Sequence, residues 1–454
     1  MRRIAFLLFA ILLAATSFAA TASAPTNVQL TIYNQNFALV KENRDMSLEK
    51  GMNTVSILDV AARIEPSSVA FKSLTDPNAV VVREQNYQYD LVNSRTILNK
   101  SLGKRVKIIK YLDGTVKEIE GIVLSTPENG LVLQTANGIV LNPSGEIQVM
   151  EMPQGLVPRP TLAWKLDSDR AGPQKTEISY LTNNITWSAD YVAVVDSLDK
   201  YVDLTGWVTL DNKSGVTYEN ASLNLMAGDV HRVQPQREFE GFALTAPMAA
   251  KAAEPQFAEK AFFEYHLYTL KDKTTVRDKE SKQISLLTAA HIPAKKVYVY
   301  DGARNQRKVN VLMEIVNSQA SNLGMPLPKG KVRVYKQESD ANQHFIGEDL
   351  IDHTPKDEKV RLYLGDAFDL VGERKQMTQR QISDHEREES YEISLRNHKD
   401  LPVTIVIVEH LWGDWKITQS SHGYNKKDAN TVEIPVEVPK DGEVKVTYTV
   451  RIKW

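Results

Sequence analysis

Hydrophobic and polar residues alternate in short runs along most of this chain. In Val28-Gln29-Leu30-Thr31-Ile32-Tyr33, and again from Val444 to Ile452, every second side chain is apolar. That period of two belongs to a strand with one face packed inward and the other in water. Similar runs rich in Val, Ile, Thr and Tyr recur between turn residues at the spacing of sandwiches and barrels, and helix-length amphipathic segments are few. The pattern predicts a mainly β protein made of several β-sandwich (immunoglobulin-like) modules plus a small SH3-like barrel insert.

The same pattern divides the chain. Residues 25–100 read as an N-terminal β domain and residues 101–152 as the small barrel. In the latter, Lys104 to Tyr111 and Val116 to Leu124 flank Asp113-Gly114, while Asn129-Gly130 and Asn137-Gly138 bracket the strand Leu131 to Thr135. Paired residues that tolerate positive φ suit the tight turns between neighbouring strands. Pro153, Pro158 and Pro160 mark a Pro-rich hinge over 153–174, because each fixes φ and lacks a donor. Residues 175–233 read as part of a sandwich around Trp187, Tyr191 and Trp207. The segment 234–261 has little β character and reads as a flexible linker, and 262–454 as a C-terminal sandwich region. The last strand, ending at Trp454, resembles the aromatic-terminated strand of outer-membrane barrels, but most strands are too short for a lipid-facing wall. It is expected to close a sandwich.

A loose motif recurs, in which an apolar strand ends in Asn before a polar stretch: at Asn212, Asn317 and Asn397. Asn at a strand exit can bond its own backbone and adopt left-handed φ, so the motif reads as a turn device repeated between sandwich modules.

Residues 1–22 form an expected signal peptide: Arg2 and Arg3, the apolar run from Ile4, then Ala20-Thr21-Ala22 or Ala22-Ser23-Ala24 as the small-x-small cleavage pattern. The run is shorter than the roughly 20 apolar residues of a spanning helix, so no integral membrane insertion is expected. The mature length of about 430 residues is too great for a single core at roughly 100–200 residues per domain. Loss of Arg2 and Arg3 takes the net charge from −2 to about −4, and only short basic pairs remain, which argues against nucleic acid. The chain has no cysteine, which removes disulfides, thiolate metal sites and cysteine nucleophiles. An exported chain without disulfides fits a bacterial periplasm or secretion from it.

No catalytic motif is found. A Gly-x-Ser-x-Gly elbow, a His-Glu-x-x-His pair, a Walker loop and an Asp-rich calcium loop are absent, and no cofactor is implied. Asp229 with His231 and Glu264 with His266 sit two apart, as two ligands on one strand face would, but neither pair has a third ligand in sequence. Trp187, Tyr191 and Trp207 read as sandwich core. Trp412 and Trp415 flank the turn Gly413-Asp414 and are the candidate partner-contact residues.

Several stretches resemble the secreted bacterial proteins grouped as the domain of unknown function 4139 family: Tyr180 to Tyr191 (YLTNNITWSADY), Glu264 to Thr269 (EYHLYT), Lys282 to Leu287 (KQISLL), Leu327 to Tyr335 (LPKGKVRVY) and Tyr363 to Leu370 (YLGDAFDL). Thr31 to Lys41 (TIYNQNFALVK) is similar to their leading segment. The resemblance implies an exported, β-rich envelope protein and transfers no catalytic residue. Some relatives carry a helical coiled segment where this chain has the small barrel. The expected function is that of a non-catalytic binding or scaffold protein whose partner is an unidentified envelope protein or glycan. The alternative is a carboxylate-dependent hydrolase of envelope polymers.

Overall fold

The computed structural model describes residues 20–112, 115–126, 130–232 and 256–454, and their secondary structure is almost entirely strand. Residues 1–19 of the expected leader, the turn at Asp113-Gly114 and most of the expected linker fall outside these residues, whereas Ala20–Thr21, at the leader's expected end, pairs as a short parallel strand with Gly51–Ile57. The chain forms two compact units, whose described residues come from Met1–Thr186, Asp211–Asn224 and Lys273–Glu280 in the first, and from Trp187–Leu210, Leu225–Asp272 and Ser281–Trp454 in the second.

In the first unit, Gly51–Ile57, Thr161–Ser168 and Val80–Gln88 lie side by side, while Asn27–Tyr33, Phe37–Leu48, Gly172–Asn183 and Ala70–Ser73 make a second sheet. Alternation sets the core. Leu30, Ile32, Val40, Val55, Ile57, Leu162, Trp164, Ile178 and Tyr180 are all buried. The stretch expected as a hinge therefore contains a central strand. Pro153, Pro158 and Pro160 all precede Thr161, and the alternating Leu162, Trp164 and Leu166 set the strand Thr161–Ser168 between two neighbours. The single α-helix described, Ser94–Lys100, is capped by Asn93, whose side chain accepts from the Thr96 amide at 3.0 Å.

The insert has five strands, Arg105–Leu112, Thr115–Ser125, Val132–Thr135, Gly138–Leu141 and Glu146–Val149, around a small core of Val106, Ile108, Val123, Leu131 and Leu133. Each is antiparallel to its neighbour, and Glu146–Val149 pairs back onto Arg105–Leu112. The sheet is open: Gly138–Leu141 and Glu146–Val149 are its two edges, so no closed ring forms.

In the second unit, the strands Val403–His410 and Thr431–Val438 face Glu386–Asn397 and Gly442–Lys453 across a core of Ile405, Ile407, Val432, Ile434, Ile393, Leu395, Val446 and Val450. This is a β-sandwich in the strict sense of two packed layers. The 25-residue strand Lys359–Ser383 serves both layers. It pairs with Lys308–Val316 from Lys359 to Asp366, is irregular over Ala367 to Asp369, meets Lys308 again at Val371, and pairs with Glu386–Asn397 from Leu370 onward. The last strand lies between Glu386–Asn397 and Asp414–Ser420. Trp187 and Tyr191 are buried, bonding the carbonyls of Met226 (3.2 Å) and Pro328 (2.8 Å), whereas Trp207 sits half-buried on the opposite face of its strand.

An ion pair crosses the interior of this sandwich. Arg374 donates to both oxygens of Glu409, at 2.9 and 3.1 Å from Nε and 2.9 Å from Nη2. The Tyr448 hydroxyl donates to Glu409 at 2.6 Å, the Arg374 guanidinium lies 3.8 Å from the Tyr391 ring centroid, and Tyr391 stacks on Tyr448. Gly372 is required beside it, since a Cβ there would come 2.2 Å from the Tyr300 ring.

The three strand-exit asparagines are fully buried and share one pattern of hydrogen bonds. Asn397 donates its amide to the carbonyls of Leu401, Val438 and Pro439 and accepts from the Lys399 amide. Asn317 donates to Met325, Thr354 and Pro355 and accepts from Gly324. Asn212 donates to Val216 and Val276 and accepts from Ser214. Each side chain stitches a loop to the end of an adjacent strand, a wider role than a local turn.

Two stability predictions follow from these contacts. Glu409→Ala strands the Arg374 charge in the interior and should cost about 3–5 kcal/mol in urea denaturation, while a paired Arg374→Met, Glu409→Leu change should recover most of it. Asn397→Ala leaves buried carbonyls without donors and should cost about 1–3 kcal/mol in the same measurement.

Candidate functional site

The outward face of the second unit's sandwich carries an open groove of about 610 Å³. It runs across five adjacent strands: Lys359–Ser383, Lys308–Val316, Glu280–Tyr300, Val403–His410 and Thr431–Val438. Alternation delivers its floor. Tyr298, Tyr300, Ile405 and Ile407 point into the sandwich, so Val297, Val299, Val406 and Val408 point out of it. Register then aligns them: Val297 lies opposite Leu312, and Leu312 opposite Tyr363. On the other side Val299 lies beside Val406. The valines and Leu312 are half-buried, where a solvent face usually shows polar side chains.

Charged groups rim this floor in fixed pairs. At one end Arg361 Nε meets Glu314 at 2.6 Å, with Lys359 at 3.9 Å. At the other, His410 Nε2 lies 2.9 Å from Asp301, and Arg304 approaches the same carboxylate at 3.7 Å. Lys427 holds Glu433 at 2.8 Å. The amide of Asn430 and the hydroxyl of Thr431 keep Asp428 below the usual carboxylate range. Every acid lining the groove is thus engaged.

An acid paired with an imidazole, as in Asp301–His410, is also the arrangement that orients the base of a hydrolytic triad, which needs a hydroxyl nucleophile besides. The two hydroxyls lining the groove are committed elsewhere: Thr431 to Asp428, and Tyr363 to Asp366 at 3.0 Å. The groove can therefore hold a surface against its apolar floor, with ion pairs fixing the edges.

Trp412 and Trp415 have separate fates. Trp412 is 67% exposed, beyond the buried Leu411. Trp415 packs at the edge of the sandwich core, donates its indole N–H to the Ala429 carbonyl at 2.7 Å and is covered by Lys426, 4.5 Å from its ring. Neither lines the groove. Of the two histidine pairs, Asp229 bonds Lys329 at 3.1 Å and His266 Nδ1 lies 2.7 Å from Glu259. Among the described residues no group of three or more His, Asp or Glu is placed to hold a metal ion. No helix among them is long and apolar enough to cross a membrane.

Sequence reasoning missed the groove. Its signal lies in Val297-Tyr298-Val299-Tyr300 and Ile405-Val406-Ile407-Val408, strands apolar at every position, as strands covered on both faces are.

Fold and face together define a β-sandwich protein with an apolar, ion-rimmed surface on one layer. The family model for the domain of unknown function DUF4139 matches residues 176–454, and the chain belongs to that family. No curated protein matches the sequence.

Asp366 organises one flank of the groove. Lys308 (2.8 Å), Tyr363 (3.0 Å) and Asn310 (2.8 Å) all bond it, and these contacts hold its carboxyl below the usual range although partial burial opposes ionisation. A carboxyl depressed in the folded state contributes stability above its unfolded pKa, and that contribution is lost as pH falls through the folded value. Asp366→Asn should therefore lower Tm at pH 6 and lose its effect at strongly acid pH, as thermal melts of both proteins along an acid series would show.

Proposed function

We propose that this protein is exported to a bacterial cell envelope, periplasmic or secreted, and works there by binding a protein or glycan through the grooved face, without catalysis. The observation that carries this reading is the half-buried row of Leu312, Val297, Val299, Val406 and Val408 on the outward face of the sheet, lining an open groove. An apolar centre inside a polar rim is the anatomy of a recognition surface. The charged leader with its small-residue cleavage pattern supports export. The groove's acids are bound to cations, imidazole or amides, so they offer surface charge in preference to proton transfer.

Mild crosslinking in intact envelopes, followed by affinity capture, tests the reading. Wild-type protein should capture a defined partner, and Val297→Asp with Val406→Asp should lose it at unchanged expression. Capture that survives both changes would move the contact elsewhere. Turnover of a glycan, peptide or ester library, abolished by Asp301→Asn alone, would overturn the non-catalytic reading in favour of the hydrolase. An unprocessed N-terminus on cytosolic material would overturn export.

A further inference from the structure

The strand Phe37–Leu48 in the first unit departs from apolar alternation in the middle of its run. Its inward positions are Ala38, Val40, Glu42, Arg44, Met46 and Leu48, so two charged residues stand where apolar ones belong. Glu42 is 3% exposed and lies in the ladder between Val28 and Ile178. Arg44 Nε donates to Glu42 Oε1 at 2.9 Å, Nη1 donates to the Ser23 carbonyl at 3.1 Å, and Nη2 is buried with no partner. A pair buried this way costs more desolvation than it returns unless its remaining atoms are satisfied. The second oxygen of Glu42 meets no donor among the described residues, and Glu42 lines a cleft of about 410 Å³.

The walls of the cleft indicate what would satisfy that oxygen. Ala24, Pro25, Val28 and Val216 are apolar. At the mouth Asp59 is paired with Arg159 at 2.6 Å, which cancels both charges. Glu219 lines the cleft with no ion pair among the described residues. With Glu42 offset by Arg44, the excess charge is negative. Arg44 itself is enclosed and does not line the cleft, so an anion cannot reach it without displacing Glu42. Burial, opposed by Arg44 and reinforced by Asp59, pushes the Glu42 carboxyl above its ordinary range, the state of an acid short of donors.

We propose that the first unit's cleft is a binding site for a compact organic cation, a primary amine whose ammonium donates to the free oxygen of Glu42 while Glu219 neutralises its charge and the apolar wall takes its methylenes. A volume of this size suits a ligand of a few carbons to a small metabolite. The site is independent of the grooved face.

Calorimetric titration of the full mature chain with n-butylamine and 1,4-diaminobutane, with butyrate as the anionic counterpart, decides the matter. One-site saturable binding of at least one amine and none of butyrate is expected. Glu219→Gln should weaken binding at least tenfold, as should Glu42→Gln, which keeps an acceptor for Arg44. Val216→Trp should abolish binding by filling the cleft. Val406→Asp, on the grooved face, should bind amine as wild type does, whatever its effect on envelope capture. Absence of saturable amine binding, affinity for butyrate, or amine affinity unchanged in Glu219→Gln and Val216→Trp would each overturn the proposal. The last two variants decide it even if Glu42→Gln does not fold.

Discussion

The C-terminal sandwich depends on Glu409. Its carboxylate collects Arg374 from the strand that joins the two layers and Tyr448 from the last strand, so one buried acid ties three strands together. Its neighbour His410 points to the opposite side of the same strand, where it meets Asp301 at the end of the groove. Because side chains alternate with a period of two, a slip of one residue would bury His410 and expel Glu409. The interior ion pair therefore fixes the register by which Val406 and Val408 face outward, and the external face inherits its geometry from the core.

A second device, the strand-exit asparagine, acts where the sheets end. A loop that leaves a sandwich strand exposes carbonyls that no ladder satisfies, and a buried primary amide with two donors can serve two or three of them at once. Asn212, Asn317 and Asn397 all do this. In a chain with no disulfide to staple loop to sheet, these amides are local fasteners, and their recurrence marks repeated solutions to one backbone problem.

Charged residues appear at inward positions in both units, with different outcomes. Arg374 and Glu409 are met by aromatic rings and hydroxyls, which satisfy them nearly completely. Glu42 and Arg44 are not: Arg44 Nη2 is enclosed without a partner, and the second oxygen of Glu42 adjoins a cleft. Core stability favours complete satisfaction, and a buried polar atom without a partner is costly.

Period-two alternation in runs such as Val28–Tyr33 and Val444–Ile452 determined by itself that the protein is built of β-sheets, because each such run has one face that water rejects. The strand-exit asparagines were equally legible, since their position after an apolar run marks them. Trp412 and Trp415 stood out on composition, yet a turn that packs one ring at the edge of the core and exposes the other cannot be read from spacing. The grooved face was hidden for a different reason: a valine on a strand apolar on both sides looks the same whether its outer face is covered or open. Only the pairing of Leu312 with Val297 and of Val299 with Val406, contacts between residues far apart in the chain, decided that these side chains form one surface. The same holds for Glu42, whose inward position follows from local alternation but whose cleft is assembled from residues as distant as Arg159 and Glu219.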